Sequence, residues 1–556
     1  MCLLFCPQCS PITMASSIVL LLVLLLVALS LLSVSANLVS IDCGSSDSFT
    51  DENTIKWVGD DEFVSGGKSQ VVQTTNGVPR VLTTLRVFST RKRNCYSIKA
   101  EKGAQFLVRA TFFYGNYDKK SSPPEFALLL DGNYWADVIT SATDLVYKEL
   151  VYVANGDFIE ICLAQTKPNQ LPFISAIEIR GLGTDMYSHV DAEYAMVHTR
   201  RVAYGATDNI RYPSDDYDRI WEPVEGGDGL VKLTNDLHII DTSVPDQPPA
   251  AAFQYAITTS KPSVSISLGT DLPTDKVPIY IIMYFTEMSQ LTTSETRSFE
   301  IYIDGKSESD PIVPVYGTVT EMYITNITAS SSTNISLVAT ADSTLPPLIN
   351  AMEVYYVSGP LTGGTDSNDV TGLGILQDKF SILQEWTGDP CLPSPFTWDW
   401  VNCSSDITPV VTALYLSGYG LSGQLPDFSA LDALQTMNLA DNKLSGPIPA
   451  TISTNSKLKL VSSGNPDLCA AGATCKTIIP ADIVTGEEQQ LQHTMQGKTV
   501  VATCLTASHH KEGQYPQMVG KYAEVAMNQF EVNIQGQSAP TTPDLTPQQN
   551  EERPLY

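Results

Sequence analysis

Along residues 41–357 the apolar positions fall in short alternating or unbroken runs and not at helical spacing. The runs AQFLVRATFFY (104–114), EFALLLDG (125–132) and DFIEICLA (157–164) are rich in β-branched and aromatic residues and are punctuated by Gly, Asn, Pro and Asp. That predicts strands joined by tight turns, and an all-β region. The pattern also returns at long range. FALLLDG at 126–132 has a counterpart in FEIYIDG at 299–305, and PFISAIEI at 172–179 has one in PLINAMEV at 347–354, at nearly equal offsets. Two matches in one order predict a duplicated unit the size of a β-sandwich, too long for a solenoid repeat. Two unrelated strand-plus-Asp-Gly hairpins are the competing explanation. Between the copies lies RYPSDDYDRIWEP (211–223), whose charges and rings read either as packing anchors or as a surface.

After Val357 the pattern changes. SGPLTGGTDSND is a turn-rich linker, and DVTGLGILQDKFSIL (369–383) has apolar residues three and four apart, which predicts an amphipathic helix. Cys391 and Cys403 then bracket a stretch rich in Trp and Pro, where an end cap is expected. A repeating period follows, carrying Gly423 onto Gly446 and Pro426 onto Pro449. Aligned on it, Leu434-x-x-Met437-x-Leu439-x-x-Asn442-x-Leu444 is the leucine-rich-repeat pattern, in which each coil buries its leucines only by stacking on the next. Tyr419 stands where the first coil needs Asn, and the third coil, around Leu458 and Leu460, reads as out of register. Cys469 and Cys475 follow as a second cap. Each cysteine pair is close enough in sequence for a local bridge.

Charge narrows the function classes. The 556 residues hold 33 Lys plus Arg against 61 Asp plus Glu, a formal charge of −28 that disfavours nucleic acid as a partner. Residues 18–32, IVLLLVLLLVALSLL, followed by Val34-Ser35-Ala36, read as a secretory signal cut before Asn37. Retention of residues 18–36 as a membrane anchor is the alternative, short of the ~20 apolar residues a span needs. Eight cysteines after Asn37 suit a few staples in an oxidising compartment. Asn326, Asn334 and Asn402 head glycan-acceptor triplets.

Catalytic chemistry finds little support. None of the six histidines has metal-ligand spacing, and Cys6-Pro-Gln-Cys9 lies upstream of the signal. The pairs Asp60-Asp61 and Asp215-Asp216 are adjacent in sequence, so on a strand they point to opposite faces. No cofactor, metal or catalytic residue is expected. A carbohydrate-active enzyme remains the minor alternative, since carboxylates that meet in space need not meet in sequence.

IDCG (41–44), NCYSI (94–98), RATFFYGNYD (109–118), SPPEF (122–126), PFISAIEIR (172–180), RYPSDDYDRIW (211–221), PLINAMEVY (347–355) and WTGDPCLP (386–393) occur in order before the repeats. Together they resemble the ectodomain of plant malectin-like leucine-rich-repeat receptor kinases. After the signal peptide at 1–36, the resemblance implies a mainly β chain: malectin-like β-sandwiches at 37–195 and 196–357, a linker and Cys-capped repeat cap at 358–403, and leucine-rich repeats with a C-terminal cap at 404–475; the sequence departs from that plan after Cys475, where a divergent, disordered tail at 476–556 is expected. It implies a non-catalytic extracellular or cell-surface protein that recognises cell-wall carbohydrate or a secreted peptide, with a membrane receptor kinase as a further partner. Tyr114, Tyr117, Tyr134 and Trp135 are the candidates for stacking on sugar, or else pack a sandwich edge. The stretch from Lys476 to Tyr556 carries no kinase signature and no apolar run of spanning length. That leaves a second expectation, an altered or truncated product of a receptor kinase gene.

Overall fold

The computed structural model describes residues 38–73, 77–227, 229–470, 472 and 475. The expected signal segment and the tail beyond Cys475 lie outside them.

One twelve-stranded sheet runs through the whole β region. Its main path is Phe49–Thr50, Lys56–Gly59, Leu38–Asp42, Ala176–Gly181, Gln105–Phe112, Val146–Val153, Met196–Tyr204, Ala351–Val357, Val277–Phe285 and Thr320–Ile324. The first six strands belong to one lobe and the last four to the next. The lobes meet edge to edge through two residue pairs, Leu150 with Val197 and Val151 with Met196.

On one face each half of this sheet is covered by its own four-stranded sheet. In the first lobe the order is Arg93–Lys99, Phe158–Ala164, Glu125–Leu130, Asn133–Ile139; in the second it is Ile266–Leu268, Ile335–Ala339, Phe299–Ile303, Lys306–Ser307. The repeated FALLLDG and FEIYIDG segments are thus the third strand of each cover. Both end in the same turn, with Asp131 and Gly132 at φ 45° and 74° and Asp304 and Gly305 at φ 49° and 82°. Two consecutive positive φ values fit a two-residue hairpin that follows the strand twist. Between the sheets sit two apolar cores, one including Phe106, Val108, Phe112, Phe126 and Phe173, the other Ile281, Met283, Phe285, Phe299 and Val354.

Beyond the β region, Asp366 caps the helix Ser367–Lys379 by accepting from the amides of Asn368 and Asp369, and Leu373 and Leu376 face the next core. The helix ends at Lys379, short of the stretch to Leu383 expected for it, where Phe380 turns extended and a 3₁₀ turn, Ser381–Glu385, takes over. Parallel strands Val411–Tyr415, Thr436–Asn438 and Lys459–Val461 then stack, Ala413 pairing with Thr436 and Thr436 with Lys459. This corrects the reading of the third coil: Leu460 pairs with Met437 in full register, and the coil is obscured in the sequence because Lys457, Ser462 and Asp467 stand where the second coil has Leu434, Leu439 and Leu444. Asn442 and Asn465 repeat one set of bonds, donating to the carbonyls of Leu416 and Leu439 and accepting from the amides of Leu421 and Leu444. Tyr419 carries no such bond and packs on Trp386, 6.0 Å between ring centres. Disulfides join Cys391 to Cys403 and Cys469 to Cys475 at the two ends of the stack.

The WTGDPC stretch fastens the stack to the first lobe. Arg93 donates to the main-chain carbonyls of Asp389 and Leu392, and Thr387 to that of Cys95. Gly388, at φ 74°, lies over the Cys95–Cys162 disulfide, where any side chain would meet Cys95 Sγ at 2.7 Å. Only glycine passes there.

Candidate functional site: the cleft at the lobe seam

Charged residues interrupt the apolar runs of the central strands: Arg109, Glu149, Glu178, Arg180, Arg201 and Glu353, none more than 3% exposed. All point to the face of the long sheet away from the two cores, and the 211–221 segment covers them there. Arg109 pairs with Glu149 (2.7 Å) and Glu178 (3.2 Å), Arg180 with Asp218 (2.7 Å), Arg219 with Asp215 (2.9 Å), and Arg211 with Asp218 (2.8 Å). Glu149 of the first lobe also meets Arg201 of the second at 2.8 Å, and Arg201 continues to Glu353 at 2.7 Å. Burial alone would raise the Glu149 pKa, but Arg201 and Arg109 hold it down at about 2. RYPSDDYDRIW is therefore a buried electrostatic latch, which decides between its two readings in favour of packing.

On the other side of the seam the strands part. Pairing across the seam stops at Leu150 and Val197, just where the second lobe's strand is bulged between His198 and Arg200, and residues 146–149 have no partner on that lobe's strand. The gap is a cleft of about 680 Å³. Its walls are Tyr134–Asp137 and Leu145–Glu149 of the first lobe, and Val197–Thr199, Glu222, Asp271, Pro273 and Tyr356 of the second. Tyr134 is 53% exposed, while Trp135 is 4% exposed and its Nε1 has no hydrogen-bond partner. His198 lies on the floor, stacked on Tyr147 at 6.2 Å, with Nε2 also unpartnered. Burial and then the Arg201 charge lower its pKa to about 4, so it is neutral near pH 7. Tyr147 donates its hydroxyl to Glu222 at 3.0 Å.

The four aromatic candidates divide. Tyr134 and Trp135 line the cleft. Tyr114 and Tyr117 do not present rings to solvent: they are 1% and 8% exposed and pack on Phe173, with ring centres 6.2 and 5.6 Å away. Their loop folds back because the Tyr114 hydroxyl bonds Asp118 at 2.5 Å, so these two are corrected to core residues. Tyr147, His198, Glu222 and Tyr356 escaped sequence reasoning, since they come from strands far apart in the chain. The one local hint was the pair of arginines in HTRRVAY, a charge in an otherwise apolar strand. Asn326, Asn334 and Asn402 are all exposed. Among the described residues no group of three or more His, Cys, Asp or Glu is placed to hold a metal.

A family model for the malectin-like domain matches residues 41–357, which takes in the long sheet from Ile41 onward and both of its covers. The chain belongs to the malectin-like family. This malectin-like chain is 36% identical over 351 residues to an uncharacterized protein of Arabidopsis thaliana, covering 62% of this chain and 70% of that protein. It is 34% identical over 415 residues to a probable LRR receptor-like serine/threonine-protein kinase of the same plant, covering 71% of this chain and 48% of the kinase. The malectin-like chain thus spans about half the length of that receptor kinase. Among solved structures, the ANX2 ectodomain from Arabidopsis thaliana is similar with a TM-score of 0.50 at 15% identity, over 58% of this chain and 97% of that one. The plant receptor-like kinase FER is similar with a TM-score of 0.50 at 18% identity, over 58% and 96%. At such identities the likeness is one of fold, and that fold is the mainly β malectin-like ectodomain.

Proposed function

We propose that this chain is a non-catalytic recognition protein of the malectin-like leucine-rich-repeat receptor type, acting outside the cell or at its surface, whose cleft at the lobe seam receives a cell-wall carbohydrate. In this reading residues 37–195 and 196–357 are two malectin-like sandwiches and 404–475 a short capped leucine-rich array. Residues 1–36 are a signal peptide, and Asn326, Asn334 and Asn402 carry glycans. The observation that supports it most directly is the half-exposed ring of Tyr134 on the wall of an open cleft, with Asp137 and Glu222 in the same lining. An aromatic face with a few fixed polar groups is the usual chemistry of a small-ligand site. Similarity to receptor kinases supports a co-receptor role beside a membrane receptor kinase.

A secreted peptide is the second reading. Strand Asn133–Ile139 ends its sheet, so among the described residues one of its edges has no strand partner, and that strand forms a cleft wall. An extended peptide adds to such an edge through main-chain bonds. Titrating the purified full chain with wall oligosaccharides and with secreted peptides tests both readings. Saturable binding that Tyr134→Ala abolishes is expected for one class, and a flat response to both would end the proposal. Hydrolysis of any wall polysaccharide by the pure protein would instead establish an enzyme.

A further inference from the structure

We infer that a glycan on Asn402 lies across the strand face of the repeat stack, its first sugar packed on the ring of Tyr415, and closes that face to protein partners. This rests on the reading of Asn402 as a glycan acceptor and adds to it where the glycan goes and what it covers.

The placement follows from register. Val401–Cys403 joins the parallel strands of the repeats as an antiparallel edge, so that four strands run in one sheet. Directly paired residues put their side chains on one face of a sheet, and neighbours along a strand alternate between faces. Val401, Leu414, Met437 and Leu460 are the inward row: the first three are buried in the core of the stack and Leu460 packs against it. The adjacent row, Asn402, Ala413, Thr436 and Lys459, faces the other way. Tyr415, Asn438 and Val461 extend that outer face by one more row.

Two observations place a sugar there. Asn402, the head of Asn402-Cys403-Ser404, is exposed, and among the described residues its side chain takes no hydrogen bond; its main-chain carbonyl accepts from the Thr412 hydroxyl at 3.1 Å. Tyr415 is 47% exposed, a ring left half open to water on the same face. It stands diagonally across from Asn402, a step of about 7–8 Å that an aromatic side chain spans. Ala413 lies between them with only a methyl group, which leaves room for the first N-acetylglucosamine to lean from Asn402 onto the ring. The C–H face of the sugar then takes ring area out of water while its hydroxyls stay solvated. Strands lie about 4.8 Å apart, so the face from Asn402 to Lys459 is about 14 Å wide, less than the reach of a branched glycan core. Repeat stacks ordinarily offer this face to partners. With it covered, recognition falls to the two lobes.

The experiment uses the full chain secreted from cultured plant cells, with occupancy of Asn402 read by mass spectrometry of its peptides. Asn402 is expected to be occupied, and Lys459 to be acylated severalfold more slowly than in Asn402→Gln, while Lys99, exposed at the end of its strand in the first lobe, is labelled equally in both. Asn402→Gln is expected to lower the thermal midpoint by about 2–4 °C. In a Tyr415→Ala background that difference is expected to vanish, since the sugar has no ring to hold. An empty Asn402 overturns the glycan reading at this site and the inference with it. An occupied Asn402 with Lys459 labelled as fast as in Asn402→Gln, or with a thermal difference that survives Tyr415→Ala, overturns the cover alone and leaves the strand face open to a protein partner.

Discussion

Glu149 takes a guanidinium from each lobe, Arg109 on its own side and Arg201 across the seam, in surroundings closed to solvent. A buried pair of this kind adds little over an apolar substitute, but breaking it leaves a charge stranded. Glu149→Gln is thus expected to cost about 3–5 kcal/mol, read as a fall in denaturant midpoint, and an Arg201→Met partner change should restore part of it. Cleft and core residues of the same type separate in the same assay. Tyr114→Ala should cost about 3–5 kcal/mol because its ring fills the core against Phe173. Tyr134→Ala should leave stability within about 0.5 kcal/mol, as for other exposed positions, and remove ligand binding. A thermal scan of both variants decides it. From sequence the two tyrosines are alike, each in a polar loop beside a strand; what differs is the Asp118 bond that turns the 114–118 loop inward.

Among the elements, the strands were legible because apolar alternation and Asp-Gly turns are local signals, as in FALLLDG. The pairing across the seam was not, because two residue pairs leave no periodicity to detect. In the repeats the asparagines mattered more than the leucines. Asn465 sits one repeat after Asn442 and makes the same bonds, though its coil keeps only Leu460 of the consensus leucines. Replacing Asn465 with Ala leaves the Leu444 amide without its acceptor, a buried group that costs about 1–3 kcal/mol, while the Leu439 carbonyl keeps the donor of Asn442. Hydrogen exchange should show faster exchange at Leu444, with the β lobes unaffected. Protection unchanged at Leu444 would mean the ladder is not what holds the last coil.

For the molecule as a whole, several buried carboxyls keep protons the unfolded chain would release. Burial pushes Asp42 and Asp131 up to about 6 and Glu160 to about 7; burial with the neighbouring Asp246 pushes Glu321 to about 8. For each, the folded chain binds the proton more tightly, so its contribution is intact below the ordinary carboxylate range and is lost as pH climbs through 6 to 8. His198, lowered to about 4, works the other way and loses stability as pH falls from 6.5. Four groups against one place the optimum near pH 5, with a lower melting temperature at pH 8 that Glu321→Gln should partly recover. A melting temperature rising steadily from pH 5 to pH 8 would contradict this. The long sheet has a last consequence. The sheet crosses the seam through the pairs Leu150–Val197 and Val151–Met196, and the latch ties the lobes behind it through Glu149 and Arg201, so any closing motion of the cleft would have to break a buried ion pair. Ligand capture then leaves the outline of the molecule unchanged in solution scattering, and a second receptor must read the occupied rim itself, sugar and protein together, and not a change of shape.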